Sequence, residues 1–317
     1  MDCFSVKKIL ADALYGHVLL ATDRASGDLV AIKRTNIAAA STHTTLRSGQ
    51  SVVPEDIETE KLVNHLIHAD GHGHPNIVRM RAAFSQHGCD FMVFDYCADG
   101  DLLDALTKGP VSLAVARTYF EQIVHGVSFL HGKGIAHRDL SLENILLHNG
   151  NCYVCDFGLA TSASEPCVDT VGKQFYMAPE VVQGVVYVAA KADVWSLGVI
   201  LFMLLTGMPL WQIASPTDAN FAFFSMHGFR ALLRMWNLHH LDMEAVDLLE
   251  HMLVRQPRKR IELKQVASHA FVQGRARSTA LKTTTADFKL VASAKNASKA
   301  KELVARLFKN KSFHHPM

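Results

Sequence analysis

The sequence predicts an α+β protein in two lobes, a small strand-rich one followed by a larger, mostly helical one. Three observations predict it. In the first third, "HVLLATD" and "LVAIKRT" alternate as strands do on either side of "RASGD", a run of turn formers, which reads as a hairpin. Beyond about residue 110 the apolar residues fall at helical spacing, as in "AVARTYFEQIVHGVSFLHG" and "MEAVDLLEHMLV". A chain of 317 residues also has room for roughly two units of about 150 residues each.

Between these anchors the elements follow in order. Residues 36–53 are rich in Ser, Thr and Ala and read as a loop. Pro54 and the acids after it open a helix whose stripe carries Ile57, Val63 and Ile67. "DFMVFDY" reads as a strand, and "DGDLLDAL" begins a helix. From Val194 to Trp211 there is no charge, which imitates a membrane span. Gly198, Gly207 and Pro209 interrupt it, however, and the dozen or so residues of continuous helix suit a buried core helix. No internal repeat is present. The resulting boundaries are 5–96 for the small lobe, 97–272 for the helical lobe and 273–317 for a basic, partly helical tail.

A hydrophobic content of 49% with 20% charged residues is that of a globular protein, and a net charge of +2 calls for neither nucleic acid nor a membrane surface. The charge is uneven. From Arg275 onward ten Lys/Arg face only Asp287 and Glu302, a net of +8, which leaves −6 for the preceding body. "MDCFSVKKIL" has no apolar leader, and six scattered cysteines read as free thiols, so the expectation is a reducing, cytoplasmic setting without a transmembrane segment. Cys152 and Cys155 form a CxxC with no second pair for zinc, and the histidines of "HLIHADGHGHPN" have no Cys or acidic ligands beside them; structural thiols and an inserted loop are the expected readings.

Moving a γ-phosphoryl group requires cations or metals on its oxygens, carboxylates to hold the metals, and a group to position the attacking hydroxyl. Four stretches supply these in order: "VAIK" with Lys33, "HRDLSLEN" with Asp139 and Asn144, "CDFG" with Asp156, and "MAPE" with Glu180. Each alone is weak. Taken with "DVWSLG" at 193–198 and "QPRKR" at 256–260, the chain resembles the eukaryotic protein kinase family over residues 5–272, of the Ser/Thr type and similar to its calcium/calmodulin-dependent kinases.

That resemblance implies ATP and Mg²⁺ as cofactors and protein Ser/Thr hydroxyls as acceptors. It implies that Lys33 neutralises the nucleotide phosphates while paired to a helix carboxylate, for which Glu60, on the Ile57 stripe, is the choice and Glu58 the second. Asn144 and Asp156 would hold Mg²⁺, a hard ion that takes oxygen ligands, and Asp139 would orient the substrate hydroxyl. The nucleotide pocket would comprise Leu10, Ala11, Ala13, Gly16, Val18, Ala31 and Lys33, with Phe94 beside the adenine, Asp95 to Cys97 presenting backbone groups, and Asp101 near the ribose or a basic substrate side chain. Asp101 and Glu143 suggest substrates with basic residues before the acceptor; solvated surface acids are the competing reading. Glu180 and Arg260 would form a buried structural pair.

Two departures from the family pattern stand out. In the loop at 11–18, "ADALYGHV", only Gly16 of three glycines remains, and Ala at the other two places predicts weakened nucleotide affinity, at about 1 kcal/mol for each strained position. "GKG" at 132–134 lacks the flanking residues of a phosphate loop. Second, where the family carries a Lys two residues after the catalytic Asp, this chain has Ser141, and where the segment before "APE" carries a Thr it has Lys173. The two side chains look exchanged, Lys173 delivering an ammonium to the same space from the opposite wall; a Lys173 pointing into solvent is the alternative. Leu142 stands where the family usually has Pro.

The activation segment holds Thr161, Ser162, Ser164 and Thr170, any of which would pair with Arg138 if phosphorylated, yet Asp169 already stands near the usual site and would supply a permanent negative charge. In the tail, Leu303, Val304, Leu307 and Phe308 share a face amid basic residues, which suggests calmodulin binding, a membrane surface or intramolecular docking, or simply a solvated helix. "RARST" places Arg275 three residues before Ser278, an autophosphorylation pattern. The reading of a different class is a silent kinase-fold scaffold binding nucleotide weakly, favoured by Ala11, Ala13 and Ser141 and opposed by Lys33, Asp139, Asn144 and Asp156.

Overall fold

In the computed structural model, which describes residues 1–41, 56–68, 73–107, 109 and 111–274, the first lobe is one antiparallel sheet ordered β1-β2-β3-β5-β4. Its strands are β1 (Phe4–Ala13), β2 (Gly16–Asp23), β3 (Leu29–Asn36), β4 (Met80–Gln86) and β5 (Cys89–Asp95). The period of two sorts its side chains. Leu19, Ala21, Val30, Ile32, Phe91 and Val93 fall on one face and form a small apolar core, closed by Phe4 and Phe84. The alternate residues pair in register across the strands, Val18 with Lys33 with Met92 and Leu20 with Ala31 with Phe94, so the residues expected to line a nucleotide pocket share the opposite face.

Helix α1 (Ile37–Ser41) is a correction, since a loop was expected there; its first turn is capped by the Asn36 side chain, which accepts from the Ala39 amide at 2.9 Å. Helix α2 (Ile57–His68) buries Ile57, Glu60, Val63 and Ile67 on one stripe. Pro54, the expected helix opener, lies outside the described residues. Val63 and Ile67 join the core of the second lobe, as does Ile77, which bridges to Val154.

The second lobe is built on α3 (Leu102–Thr107), α4 (Leu113–Gly132), α5 (Pro179–Val182), α6 (Ala189–Thr206), α7 (Ala219–His227), α8 (Phe229–Met235) and α9 (Met243–Met252), with short helices at Leu263–Ser268 and Ala270–Gln273. Three short strand pairs lie between α4 and α6, of which only the strand entering "DFG" was expected: β6 (Ile135–Ala136) with β9 (Thr161–Ser162), β7 (Ile145–His148) with β8 (Asn151–Val154), and β10 (Pro166–Cys167) with β11 (Tyr187–Val188). Helix α6 is long and apolar enough to cross a membrane, but 78% of it is buried within the fold. It runs straight through Gly198, where a Cβ would come within 3.1 Å of Met252 and Leu253, and ends at Gly207 in the left-handed region at φ 69°. Trp195 and Trp211 stack at 5.6 Å in the centre of this lobe, with Phe221 edge-on to Trp211 at 5.2 Å.

Arg260 reaches this aromatic centre with a fully buried side chain. It meets both oxygens of Glu180 at 2.7 and 3.0 Å, donates to the carbonyls of Val254 and Lys191, and lies 5.1 Å over the Trp195 ring. Removing one member strands the other charge in the core, which typically costs about 3–5 kcal/mol. Glu180→Gln and Arg260→Met should each lower the urea midpoint strongly, whereas the double variant should lose less than the sum; additive losses in urea titration would contradict a coupled pair.

Candidate active site

The site lies where the two lobes meet. Strand β3 carries Lys33 on the face opposite the small core, and α2 turns Glu60 toward it because Glu60 falls on the buried stripe. Lys33 Nζ donates to Glu60 Oε2 at 2.6 Å and to Asp156 Oδ1 at 3.3 Å. Glu58, the second choice, is exposed and pairs with Lys61 on its own helix. Burial raises the Glu60 carboxyl above its ordinary value despite Lys33. Burial also pushes Asp156 up, but the ammonium groups of Lys33 and Lys173 outweigh it and the carboxyl ends lower than usual.

The loop after β6 is folded around Asp193 of α6. One Asp193 oxygen accepts from His131 Nε2 and the His137 amide, both at 2.8 Å, and the other from the Arg138 amide at 2.9 Å. Arg138 stands at φ 64° and Asp156 at φ 67°, left-handed conformations that cost a non-glycine residue about 1–3 kcal/mol. The buried His137 ring spans the two, accepting from the Asp139 amide at 3.3 Å and meeting the Cys155 carbonyl at 3.0 Å. Asn144 donates from Nδ2 to the Asp139 carbonyl at 2.8 Å and to its Oδ2 at 2.7 Å. Its amide is thereby oriented, and its Oδ1 accepts from the Lys173 ammonium at 3.3 Å.

Lys173 does not point into solvent. Its ammonium meets Asp139 Oδ2 at 3.0 Å, Ser141 Oγ at 3.0 Å and Asn144 Oδ1 at 3.3 Å, and its amide donates to Asp139 Oδ1 at 3.1 Å. Burial opposes the charge, but Asp139 and Glu143 outweigh it and hold the ammonium above its ordinary pKa. Glu143 accepts from the buried Tyr176 hydroxyl at 3.2 Å. Asp169 meets Arg138 Nη1 at 2.8 Å while Arg138 Nε donates to the Leu159 carbonyl at 2.6 Å, so one guanidinium ties together two points of the activation segment. Thr170 donates its hydroxyl to the Val181 carbonyl at 3.0 Å.

On the roof, Ala11 pairs with Val18 and Ala13 with Gly16 as strand residues, and only Leu14 and Tyr15 form the turn. Neither alanine has a positive φ. The strain expected from replacing glycine there therefore does not arise. Gly16 has a different demand on it: a Cβ would fall 1.9 Å from the Arg34 carbonyl on the paired strand. Leu10 sits at the β-bulge between Ile9 and Ala11. At the lobe junction Phe94 and Asp95 end β5. The Asp95 amide is engaged by the Arg79 carbonyl at 3.0 Å, while among the described residues no hydrogen bond engages the Cys97 amide. Burial, reinforced by Asp95 and Asp99, pushes the Cys97 thiol up to about 12. Asp101 caps α3 by accepting from the Asp104 amide at 2.8 Å.

All six cysteines are free, and burial raises both Cys152 and Cys155, so neither tends toward the thiolate that zinc requires. No cluster of three metal-binding side chains occurs among the described residues. Of the histidine string, His68 contacts the Asn64 carbonyl at 2.8 Å and His74 packs on Phe129 at 5.0 Å, while residues 69–72 are outside the description. Lys133 of "GKG" caps the end of α4. The expected helix of Leu303, Val304, Leu307 and Phe308, and Ser278, also lie outside the described residues.

This architecture agrees with the comparisons. Residues 4–272 match the protein kinase domain. The chain is 33% identical over 271 residues to the serine/threonine-protein kinase GIN4 of Saccharomyces cerevisiae, covering 81% of this chain and 23% of that one. It is 35% identical over 224 residues to the serine/threonine-protein kinase chk1 of Schizosaccharomyces pombe, covering 68% and 43%, and 32% identical over 271 residues to the CBL-interacting protein kinase 16 of Oryza sativa, covering 83% and 55%. The chain belongs to the protein kinase family, among its serine/threonine members, and spans roughly a quarter to a half of the length of these relatives.

Sequence reasoning gave no role to Asp193, His137 or Tyr176. Asp193 had a visible signal, an acid at the head of an otherwise uncharged helical run, and His137 heads the "HRDLSLEN" motif; Tyr176 carries none outside the fold. The hydrogen bonds from His131 and the loop amides overcome the burial penalty and lower the Asp193 carboxyl below its ordinary 3.8. A depressed carboxyl stabilises the fold above its unfolded pKa, and that contribution disappears as pH falls through the folded value. Asp193→Asn should thus cost about 1–3 kcal/mol at neutral pH. In thermal melts the gap from wild type should narrow below about pH 4; a gap that widened in acid would exclude this assignment.

Proposed function

We propose that the chain is a catalytically active serine/threonine protein kinase, transferring the γ-phosphoryl group of ATP to protein Ser and Thr hydroxyls with Mg²⁺. The observation that carries this reading is Lys33, held 2.6 Å from Glu60 and 3.3 Å from Asp156. A silent scaffold gives no reason to keep a half-buried ammonium between two carboxylates from different lobes, which is a costly arrangement for stability alone.

The residues fit the metal. Asp156 offers carboxylate oxygens, and the Asn144 amide is fixed by Asp139 while its Oδ1 accepts from Lys173 in a long 3.3 Å contact; once that contact is released, the two residues make a hard oxygen donor set suited to Mg²⁺. When bound, the ion neutralises charge developing on the phosphate oxygens. The chain's own residues do the rest. Lys33 places positive charge against the nucleotide phosphates, and Glu60 fixes its direction. Asp139, with Oδ2 anchored by Asn144 and Lys173, orients the acceptor hydroxyl and takes up its proton. Alanine at 11 and 13 leaves the roof strand unstrained, and the Cys97 amide remains for the adenine edge. Glu143, whose carboxylate lies near the Asp139 loop through Tyr176 and raises the Lys173 pKa, and Asp101 at the start of α3 are the acids that would favour basic residues before the acceptor.

Asp139→Asn should lower turnover by about 10²- to 10⁴-fold in a radiolabel transfer assay with Mg-ATP and a basic protein acceptor, leaving the fold intact. Wild type that labels no more than this variant would overturn the reading. Protein made in bacteria and shown by mass spectrometry to lack phosphate should already be active, since Asp169 occupies Arg138; a strict requirement for prior phosphorylation would contradict that part.

A further inference from the structure

In this chain the cation beside Asp139 belongs to the activation segment rather than to the loop that carries Asp139 itself. We infer that Lys173 is the catalytic ammonium for the transferred phosphoryl group, and that docking the activation segment and charging the site are therefore a single event. The inference rests on the kinase reading above and deepens it.

An ammonium has three donors, and those of Lys173 are directed at three acceptors of the Asp139 loop: Asp139 Oδ2 and Ser141 Oγ at 3.0 Å and Asn144 Oδ1 at 3.3 Å. Ser141 is fully buried. A small hydroxyl at that position leaves space for a long side chain arriving from elsewhere, and Lys173 occupies it. The longest contact, to Asn144, is the donor free to turn to a phosphate oxygen while the other two hold the nitrogen in place.

The backbone leading into Lys173 is held by Arg138 at two points, Gly172 and Asp169. Gly172, at φ 97°, presses on the Arg138 carbonyl so closely that a Cβ would fall 2.6 Å from it, and the Arg138 guanidinium holds Asp169 at 2.8 Å. Tyr187 adds a hydrogen bond to the Asp169 carbonyl at 2.8 Å. If Asp169 is released, the segment loosens and the ammonium leaves Asp139 with it. Were the cation on the Asp139 loop, the same release would disturb the substrate groove but leave the charge where it is.

The test is a set of variants made with and without Asp169→Ala: wild type, Lys173→Thr, Ser141→Lys, and the exchanged double variant Ser141→Lys/Lys173→Thr. For each, kcat, KM for ATP and the thermal midpoint are measured, with hydrogen exchange across 169–177 reporting segment docking independently of activity. Lys173→Thr should lower kcat by about 10²- to 10³-fold with little change in KM for ATP, and the exchanged variant should recover most of that loss. Asp169→Ala should lower kcat by a larger factor in wild type than in the exchanged variant, and should increase exchange across the segment in both.

Undiminished kcat in Lys173→Thr overturns the assignment while leaving the kinase reading intact; inactive wild type overturns both. Equal effects of Asp169→Ala in the two backgrounds overturn the coupling. Should the exchanged variant melt below the assay temperature, Lys173→Ala assayed with added propylammonium decides: recovery is expected, and its absence overturns the assignment.

Discussion

Lys33 is reached by a carboxylate from each side, Glu60 from helix α2 and Asp156 from the strand-to-loop turn of the second lobe, and the geometry of the cleft depends on this three-centre contact. Neither acid is comfortable in its place. Glu60 is almost wholly buried, and burial raises its carboxyl; Asp156 stays ionised because two ammonium groups face it. The contact is strongly asymmetric in its consequences. While intact it repays the removal of the charges from water, but loss of Lys33 would leave two like charges confronting each other in a poorly solvated gap. Helix α2 is thus pinned to the sheet by charge on one turn and to the second lobe by Val63 and Ile67 on the next.

Two residues of the site adopt left-handed backbone conformations without being glycine, and the surroundings explain how each is kept. Arg138 is held by the Asp193 carboxylate through its amide, and Asp156 by Lys33 through its side chain. In both cases a buried charge interaction of one element offsets strain in another. The strain has a use, since turning Arg138 out of the extended path lets its guanidinium reach both Leu159 and Asp169 while the ring of its neighbour His137 is buried against Phe157 and the Cys155 carbonyl. Helix α6, apolar enough to imitate a membrane span, is buried for the same purpose: its second turn carries Asp193, the acid on which the loop is folded.

Much of this was legible because it follows from periodicity and from motif order. Strand alternation alone places Val18, Ala31, Lys33 and Phe94 on the face away from the small core, and the helical stripe alone separates Glu60 from Glu58. What escaped was determined by partners distant in sequence. Strand β1 alternates too weakly to declare itself, with most of its residues exposed. The demand for glycine at position 16 comes from the Arg34 carbonyl across the hairpin, and no local rule shows it. The alanines at 11 and 13 were read as strained loop residues because the motif was taken for a loop, whereas the turn is only two residues long and both alanines lie in ordinary extended backbone. Asp193 could be seen but not interpreted, because its partners come from 55 to 62 positions earlier in the chain.

The exchange between positions 141 and 173 was readable as a pattern but not as a geometry. From sequence, a lysine missing from one wall and present on the other is equally compatible with a site that has lost its charge and one that has moved it. The distances separate these cases: the ammonium is within 3.3 Å of three side chains of the Asp139 loop, and a solvated lysine would make none of these contacts. Conserving the position of a charge while changing the segment that owns it alters little in the assembled cleft. It does alter which motions remove the charge, because a cation on the Asp139 loop is braced by Asp193 and α6, whereas one on the activation segment is braced by Arg138 and the exposed Asp169. The second set of braces is nearer to solvent and more easily opened, so the same electrostatics come with a lower threshold for being switched off.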